Sequence, residues 1–367
     1  MKIHPFKLER YFAQHEFTVP YLFSSSDCEA LTLQELLSLA DAESFSLWEK
    51  LRLGYTESLG HPLLRAEIAK LYAHIKAEEV LVVAPEEGIF ITMNVLLEAG
   101  DHVIATFPGY QSLYEVAQAI GCQVTRWLPE EKEGWKFDVD WLRHQIRENT
   151  RLIVVNFPHN PTGALPRRRD LAEIIRIASE RGLYLFSDEM YRLLEYDVTD
   201  RLDSASDLYE YAISLAGMSK AFALAGLRIG WLTTRDEKLF QTLATFKDYT
   251  TICSSAPSEI LAIMALRAKE RIVARNLAII RDNLALLDPF FARHTALFSW
   301  VKPKAGTIAF PQLLSGRAAE FCAGLREKQG VLLLPGDVYE DEGNHFRIGF
   351  GRRNMPQALS RLEEYVR

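Results

Sequence analysis

Cysteine, surplus positive charge and long apolar runs are all scarce in this chain of 367 residues. Its four cysteines, Cys28, Cys122, Cys253 and Cys322, lie far apart and show no C-x-x-C spacing. Neither a zinc site nor a disulfide framework is expected, and reduced thiols fit better. The nine histidines are equally scattered, with no H-x-x-x-H pair, so metal chemistry is not indicated. Lys and Arg number 42 against 49 Asp and Glu, a formal charge of −7. That balance argues against a nucleic-acid partner, because phosphate binding needs a basic face. No apolar stretch reaches the roughly 18 residues that cross a bilayer, which argues against a membrane-spanning protein. The opening Met1-Lys2-Ile3-His4-Pro5-Phe6-Lys7 has no apolar secretory core. The expectation is a soluble cytoplasmic protein.

Apolar residues make up 48% of the chain, enough for ordinary buried cores. The length is too great for one small core, so two lobes are expected. Through the middle, short runs rich in β-branched residues alternate with helical stretches. Val80–Val83, Val103–Thr106, Leu152–Val155, Leu183–Phe186, Ala212–Leu215 and Ile229–Leu232 read as strands. Glu87–Glu98 and Asp170–Arg181 read as helices between them. Strands apolar on both faces and alternating with helices imply an α/β fold, a mostly parallel sheet flanked by helices. After about residue 255 the texture changes. A long helix from Pro257 to about Asp288 precedes shorter strands at Leu297–Val301, Thr307–Phe310, Val331–Leu334 and His345–Gly349, and a helix at Met355–Val366 follows. The expected division is a large α/β domain over residues 46–256 and a smaller α+β domain from 1–45 with 257–367. The basic triplet Arg167-Arg168-Arg169 reads as solvated surface.

Polar residues follow several strands at their carboxyl ends, where open α/β sheets bind ligands. Lys220, in Met218-Ser219-Lys220-Ala221-Phe222, has small, semi-apolar neighbours that can hold an amine neutral and able to attack a carbonyl; a surface lysine is the plainer reading. Arg228 lies between Gly226 and Gly230 at the entry to an apolar strand, and burial there would need an anion. Asp188, at the end of Leu183–Phe186, is placed either to meet a protonated ring nitrogen or to cap a helix. Tyr191 follows it. Asn160, in Asn156-Phe157-Pro158-His159-Asn160-Pro161-Thr162-Gly163, sits in a rigid turn that can fix its orientation or simply reverse the chain. Arg347, in His345-Phe346-Arg347-Ile348-Gly349-Phe350, suits a carboxylate of a ligand or of an internal ion pair.

The ordered set Asn160–Gly163, Ser187–Tyr191, Ser219–Trp231 and Phe346–Phe350 resembles the class I/II aminotransferases, pyridoxal-5′-phosphate enzymes of fold type I. The likeness runs from about Gly54 to Gly351. It implies that Lys220 links covalently to the cofactor and moves the substrate's proton. Asp188 would pair with the pyridinium nitrogen, a cationic partner that should depress its pKa. Tyr191 and Asn160 would bond the ring oxygen, and Arg228 and Ser219 the phosphate. Tyr110, in Phe107-Pro108-Gly109-Tyr110, would stack on the ring. Arg347 would take the substrate's α-carboxylate, beside Asn160. Tyr55, in Gly54-Tyr55-Thr56-Glu57, would reach the neighbouring subunit's phosphate, which implies a homodimer. The substrates would be an amino acid and a 2-oxo acid.

Two segments depart from the family's pattern. Where a small or glycine residue usually opens the phosphate cup, this chain has Ala84-Pro85-Glu86-Glu87. Pro85 has no N–H, although Glu86 and Glu87 can donate from the backbone with their side chains turned outward. Gly217 stands three residues before Lys220, where Ser or Thr is usual. Three functions follow from the set: an aminotransferase; a pyridoxal-phosphate enzyme of β/γ-elimination, replacement or cyclisation, such as a carbon–sulfur lyase or the capreomycidine-synthase type; or a binding protein without cofactor. No second arginine is placed to meet a distal carboxylate, so substrate identity is not legible.

Overall fold

The computed structural model describes residues 2–367. Its centre is a sheet of seven strands: β1 (Val80–Val83), β2 (His102–Thr106), β3 (Gln123–Trp127), β4 (Thr150–Asn156), β5 (Tyr184–Asp188), β6 (Ala212–Gly217) and β7 (Gly230–Thr233). They lie in the order β1-β7-β6-β5-β4-β2-β3, and β7 alone runs against its neighbours.

Period-two alternation explains why both faces are covered. Leu81 and Val83 of β1 and Leu152 and Val154 of β4 share a core with Ile89, Leu113 and Leu239 from helices Pro85–Leu96, Ser112–Ile120 and Glu237–Lys247. The alternate residues Ile153 and Val155 face Leu171 and Ile174 of helix Arg168–Arg181. Val80 and Val82 face Leu64 of helix Pro62–Ala69 and Ile260 of helix Ala256–Arg267.

Strand β3 was not among the expected ones. Its Gln123, Thr125 and Arg126 lie at the sheet edge, where polar residues are tolerated and mask the strand pattern. The long helix expected from Pro257 is two helices, Ala256–Arg267 and Lys269–Arg293, interrupted at Ala268. The first is buried continuously from Glu259 to Leu266, whereas the second buries a single face. Alanine is a strong helix former, so nothing local marks the break. The later strands are shorter than expected, as at Phe298–Ser299 and Ile308–Ala309. Helix Met355–Val366 has the expected bounds.

The N-terminal segment pairs with the C-terminal third of the chain. Tyr21–Leu22 runs parallel to Val331–Leu332, and the Phe23 carbonyl accepts from Gly349 N–H at 3.0 Å. A Cβ on Gly349 would stand 1.9 Å from the Ser25 carbonyl oxygen, so only glycine allows this close approach. The contact sets Ser25, Ser26 and Asp27 against the carboxyl edge of the large sheet. No helix among the described residues is long and apolar enough to cross a membrane.

Candidate active site

The carboxyl ends of β1, β4, β5 and β6 open on one cavity of about 390 Å³. Asn156 and Asp188 stand side by side in register at the ends of β4 and β5. Polar residues at or just past the carboxyl ends of these strands therefore collect along one edge.

Asp188 is 5% exposed, and one carboxylate oxygen accepts from Met190 N–H at 3.1 Å in a turn rather than at a helix start. Burial pushes its carboxyl up to about 7, against the pull of the Met190 N–H and the charge of Lys220. Such a carboxyl gains most from a cation placed against it. Lys220 Nζ donates to Ser26 Oγ at 2.7 Å and lies 5.8 Å from the Tyr191 ring centroid. Burial holds this ammonium below its usual range, although Asp27, Glu9 and Asp188 oppose the shift and Arg347 adds to it. Tyr191 is 2% exposed, and its hydroxyl has no partner. A buried hydroxyl left unpaired costs about 1–3 kcal/mol, so it favours a ligand oxygen.

Arg347 is 1% exposed. Its guanidinium donates to the Ser24 carbonyl at 2.8 and 3.2 Å, to Asn160 Oδ1 at 3.3 Å and to the Tyr339 hydroxyl. Neutral oxygens thus orient it. No carboxylate pairs with it among the described residues, so the internal ion pair is absent and an anion is what it lacks. Asn160 is held in turn by Asn156 Oδ1, which accepts its N–H at 2.7 Å.

Pro85 and Gly217, the two departures from the family pattern, prove to be one packing solution. A Cβ on Gly217 would meet Gly230 Cα at 3.0 Å and Pro85 Cγ at 3.2 Å. The proline ring fills the space that a side chain at 217 would take. It also forms the first residue of helix Pro85–Leu96, where a missing N–H costs nothing. The next residues correct one expectation. Glu87 does turn away, accepting from Ala84 N–H at 3.1 Å and from Thr251 Oγ1 at 2.7 Å, and it lies outside the cavity. Glu86 instead points inward and accepts from Ser112 Oγ at 3.2 Å. With Glu87 reaching back over the helix start, Glu86 one residue earlier lies about 100° round the helix, facing Ser112. Burial raises its carboxyl above the usual range.

Ser219, Tyr110 and Arg228 also line the cavity. The Tyr110 hydroxyl donates to Glu9 Oε1 at 3.2 Å. Arg228 departs from the expected burial: it is exposed, at φ 55°, with a guanidine nitrogen bonded to the Ala225 carbonyl at 3.0 Å. The glycines beside it leave it in a left-handed turn before β7 instead of inside the strand. Tyr55 is 91% exposed and outside the cavity of its own chain.

Sequence reasoning missed a whole wall. Helix Lys7–His15 and the residue after it supply Leu8, Glu9, Phe12 and Glu16, while Ser25, Ser26 and Asp27 complete that side. The spacing 9, 12, 16 is one helical face and was readable as such. Nothing local says which surface that face meets.

The residues present fit pyridoxal phosphate. A half-buried lysine, a buried carboxyl at the place for a ring cation, an unpaired hydroxyl and a helix N-terminus converge on one cavity.

Comparison with known proteins agrees. A solved pyridoxal-phosphate-dependent aminotransferase from Streptococcus suis superposes with a TM-score of 0.93 at 31% identity, over 100% of this chain and 98% of that one. A solved pyridoxal-phosphate-dependent cyclase, OrfR, gives 0.90 at 28% identity over 100% and 97%. Capreomycidine synthase from Streptomyces vinaceus is 28% identical over 311 residues, 84% of this chain and 79% of its own. The pattern described as "Aminotransferase class I and II" matches residues 22–362, and the chain belongs to that family.

Proposed function

We propose that the protein is a pyridoxal-phosphate-dependent aminotransferase that moves an amino group between an amino acid and a 2-oxo acid. The observation that carries this reading is the single cavity in which Lys220, Asp188, Tyr191 and Arg347 meet, with the Tyr191 hydroxyl unpaired. Bound there, the cofactor supplies a ring that accepts the electron pair left when the substrate's Cα–H bond breaks. Asp188 would hold the ring nitrogen protonated. Tyr191 and Asn160 would bond the ring oxygen, and Tyr110 would pack against the ring. Arg228, Ser219 and the backbone N–H groups of Glu86 and Glu87 would hold the phosphate. Arg347 clamps the α-carboxylate and so orients Cα toward Lys220. The Lys220 amine, biased toward its neutral form by burial, takes that proton.

The same reading divides the chain into a large domain of residues 46–256 and a smaller one of 1–45 with 257–367. It sets the protein to work as a cytoplasmic homodimer, with Tyr55 reaching the partner's phosphate. Leu53, Tyr55 and Tyr249 are 86%, 91% and 87% exposed, large side chains that a partner subunit would cover. The four free cysteines accord with a reducing compartment.

The likeness to capreomycidine synthase and to the OrfR cyclase favours a second reading, in which the same residues end in elimination, replacement or ring closure. One assay separates the two. Purified protein with pyridoxal phosphate and a panel of amino acids is followed with and without a 2-oxo acid. Transamination requires the acceptor and returns a new amino acid; the alternative consumes its substrate without one.

A further inference from the structure

We propose that His345 is a positioning residue for the substrate's α-carboxylate: it clasps the strand that carries Arg347 to the hairpin Pro129–Phe137 beyond β3, and the grip of Arg347 depends on that clasp. This rests on the reading of Arg347 as the carboxylate clamp and adds a residue that acts through it.

His345 and Arg347 are alternate residues at the start of strand Phe346–Gly349, the spacing at which side chains share a face. His345 is 5% exposed. Its ring stacks on Phe310 with centroids 4.9 Å apart and meets Trp135 edge-on at 5.2 Å. Nδ1 donates to Asp341 Oδ2 at 2.8 Å, and Nε2 to Glu131 Oε2 at 3.3 Å. Asp341 belongs to the loop before the strand, whereas Glu131 belongs to the hairpin. These two are the charged groups that face the ring among the described residues; Phe310 and Trp135 cover it and bring no charge. Burial alone would push the imidazole down, but the hydrogen bonds and charges of Asp341 and Glu131 outweigh it and raise it to about 9. The imidazolium donates to both carboxylates at once; a neutral ring donates to only one. Asp341 Oδ2 also accepts the N–H groups of Gly343 and His345, at 3.1 and 3.3 Å. Loss of the proton therefore falls on Glu131, the longer contact.

The clasp reaches the guanidinium through packed rings. Phe310, on which His345 stacks, meets Tyr339 edge-on at 5.9 Å. The Tyr339 hydroxyl donates to Asn160 Oδ1 at 3.0 Å and accepts from Arg347. A shift of the hairpin is thus passed to the hydroxyl that orients Arg347. Trp135 holds φ 62° in this hairpin, a left-handed conformation that a bulky residue keeps only where its surroundings fix it. Glu340, next to Asp341, is tied separately to Lys7 at 3.0 Å and to Arg126 of β3. The segment therefore keeps a second tie when the clasp opens, and the consequence is a loosened grip on the carboxylate, not unfolding.

The test uses protein loaded with pyridoxal phosphate, with L-alanine, L-glutamate and L-arginine as probes. Dissociation constants are read from the change each makes in the cofactor's absorbance at about pH 7.5 and about pH 10, either side of the His345 value. For the tightest-binding probe, His345→Gln should weaken binding about three- to tenfold at the lower pH, the size of coupling through a neighbouring contact. At the higher pH, where the unchanged protein has lost the same proton, the ratio of variant to unchanged protein should fall toward one. Ionisations that both proteins share, the substrate's amine among them, cancel in that ratio. Glu131→Gln keeps a neutral acceptor in place and should show a smaller ratio with the same convergence, which serves if the His345 variant does not fold. A ratio of one at both pH values would overturn the role. So would a ratio raised equally at both, the mark of a merely structural contact. Constants unmoved by Arg347→Leu would instead overturn the reading of Arg347, and the inference with it.

Discussion

The two walls of the cavity are built by different means. The sheet wall consists of short polar segments at the ends of strands that are apolar on both faces: Asn156, Asp188, Ser219 and Lys220. The opposite wall is a helix and an extended segment from the N-terminus, pinned by a strand from the far end of the chain. Ser26 meets Lys220 across 194 residues, and Ser24 meets Arg347 across 323. Function on the first wall follows from the fold; on the second it follows from long-range contacts that bring the N-terminal helix over the site. On the proposed reading, the first wall carries the cofactor chemistry and the second lies against the place of the substrate.

Removing the sheet wall's central group should have the largest effect. Lys220→Ala is expected to lower turnover about ten-thousand-fold, the upper range for a positioned proton-transfer group. Residual activity near that of the unchanged protein would break the assignment. On the opposite wall, Arg347→Leu should cost about ten- to a hundredfold in kcat/KM, mainly through KM, since a charged hydrogen-bonding contact is lost. Steady-state kinetics on both variants thus separate the wall that reacts from the wall that lies against the substrate.

Stability sharpens the contrast. Gly217→Ser should destabilise the fold by about 1–3 kcal/mol, read as a fall in Tm, because the new Cβ crowds Gly230, the Ile229 carbonyl and Pro85. Adding Pro85→Ala should restore part of this. A strictly additive pair would show that the two positions do not share one space.

The smallest effect is one of pH on the cofactor-free protein. Asp188 rises from an ordinary 3.8 to about 7 on folding. Below both values folded and unfolded chains alike hold its proton; between them only the folded chain does. Its contribution to stability is therefore lost as pH rises through that window. Tm of the cofactor-free protein should fall across the window by a few degrees more than that of Asp188→Asn. Equal slopes would contradict the burial of an uncompensated carboxyl.

What could be read from the sequence divides along the same line. β5 and Asp188 were legible because an apolar strand ends sharply at its first charged residue. β3 was not, since Gln123, Thr125 and Arg126 at a sheet edge look like loop. The neighbours of Lys220 favoured a surface lysine, and only the family resemblance singled it out; the partner on its amine, Ser26, was not legible at all. Arg228 misled because its apolar, glycine-flanked surroundings imitate a strand interior, whereas a left-handed turn leaves it exposed. Glu86 misled because its side chain turns to Ser112 in the cavity wall while that of its neighbour Glu87 reaches back over the helix start. The stripe Glu9-Phe12-Glu16 had a visible period and no visible destination.

The central claim is that the sheet wall holds pyridoxal phosphate through Lys220. It is tested most directly by adding the cofactor to purified protein, recording the absorbance before and after borohydride, and mapping the reduced label by peptide analysis. The account predicts a band near the visible edge that collapses on reduction and a label on Lys220. A label on another lysine, or no band at saturating cofactor, would contradict it.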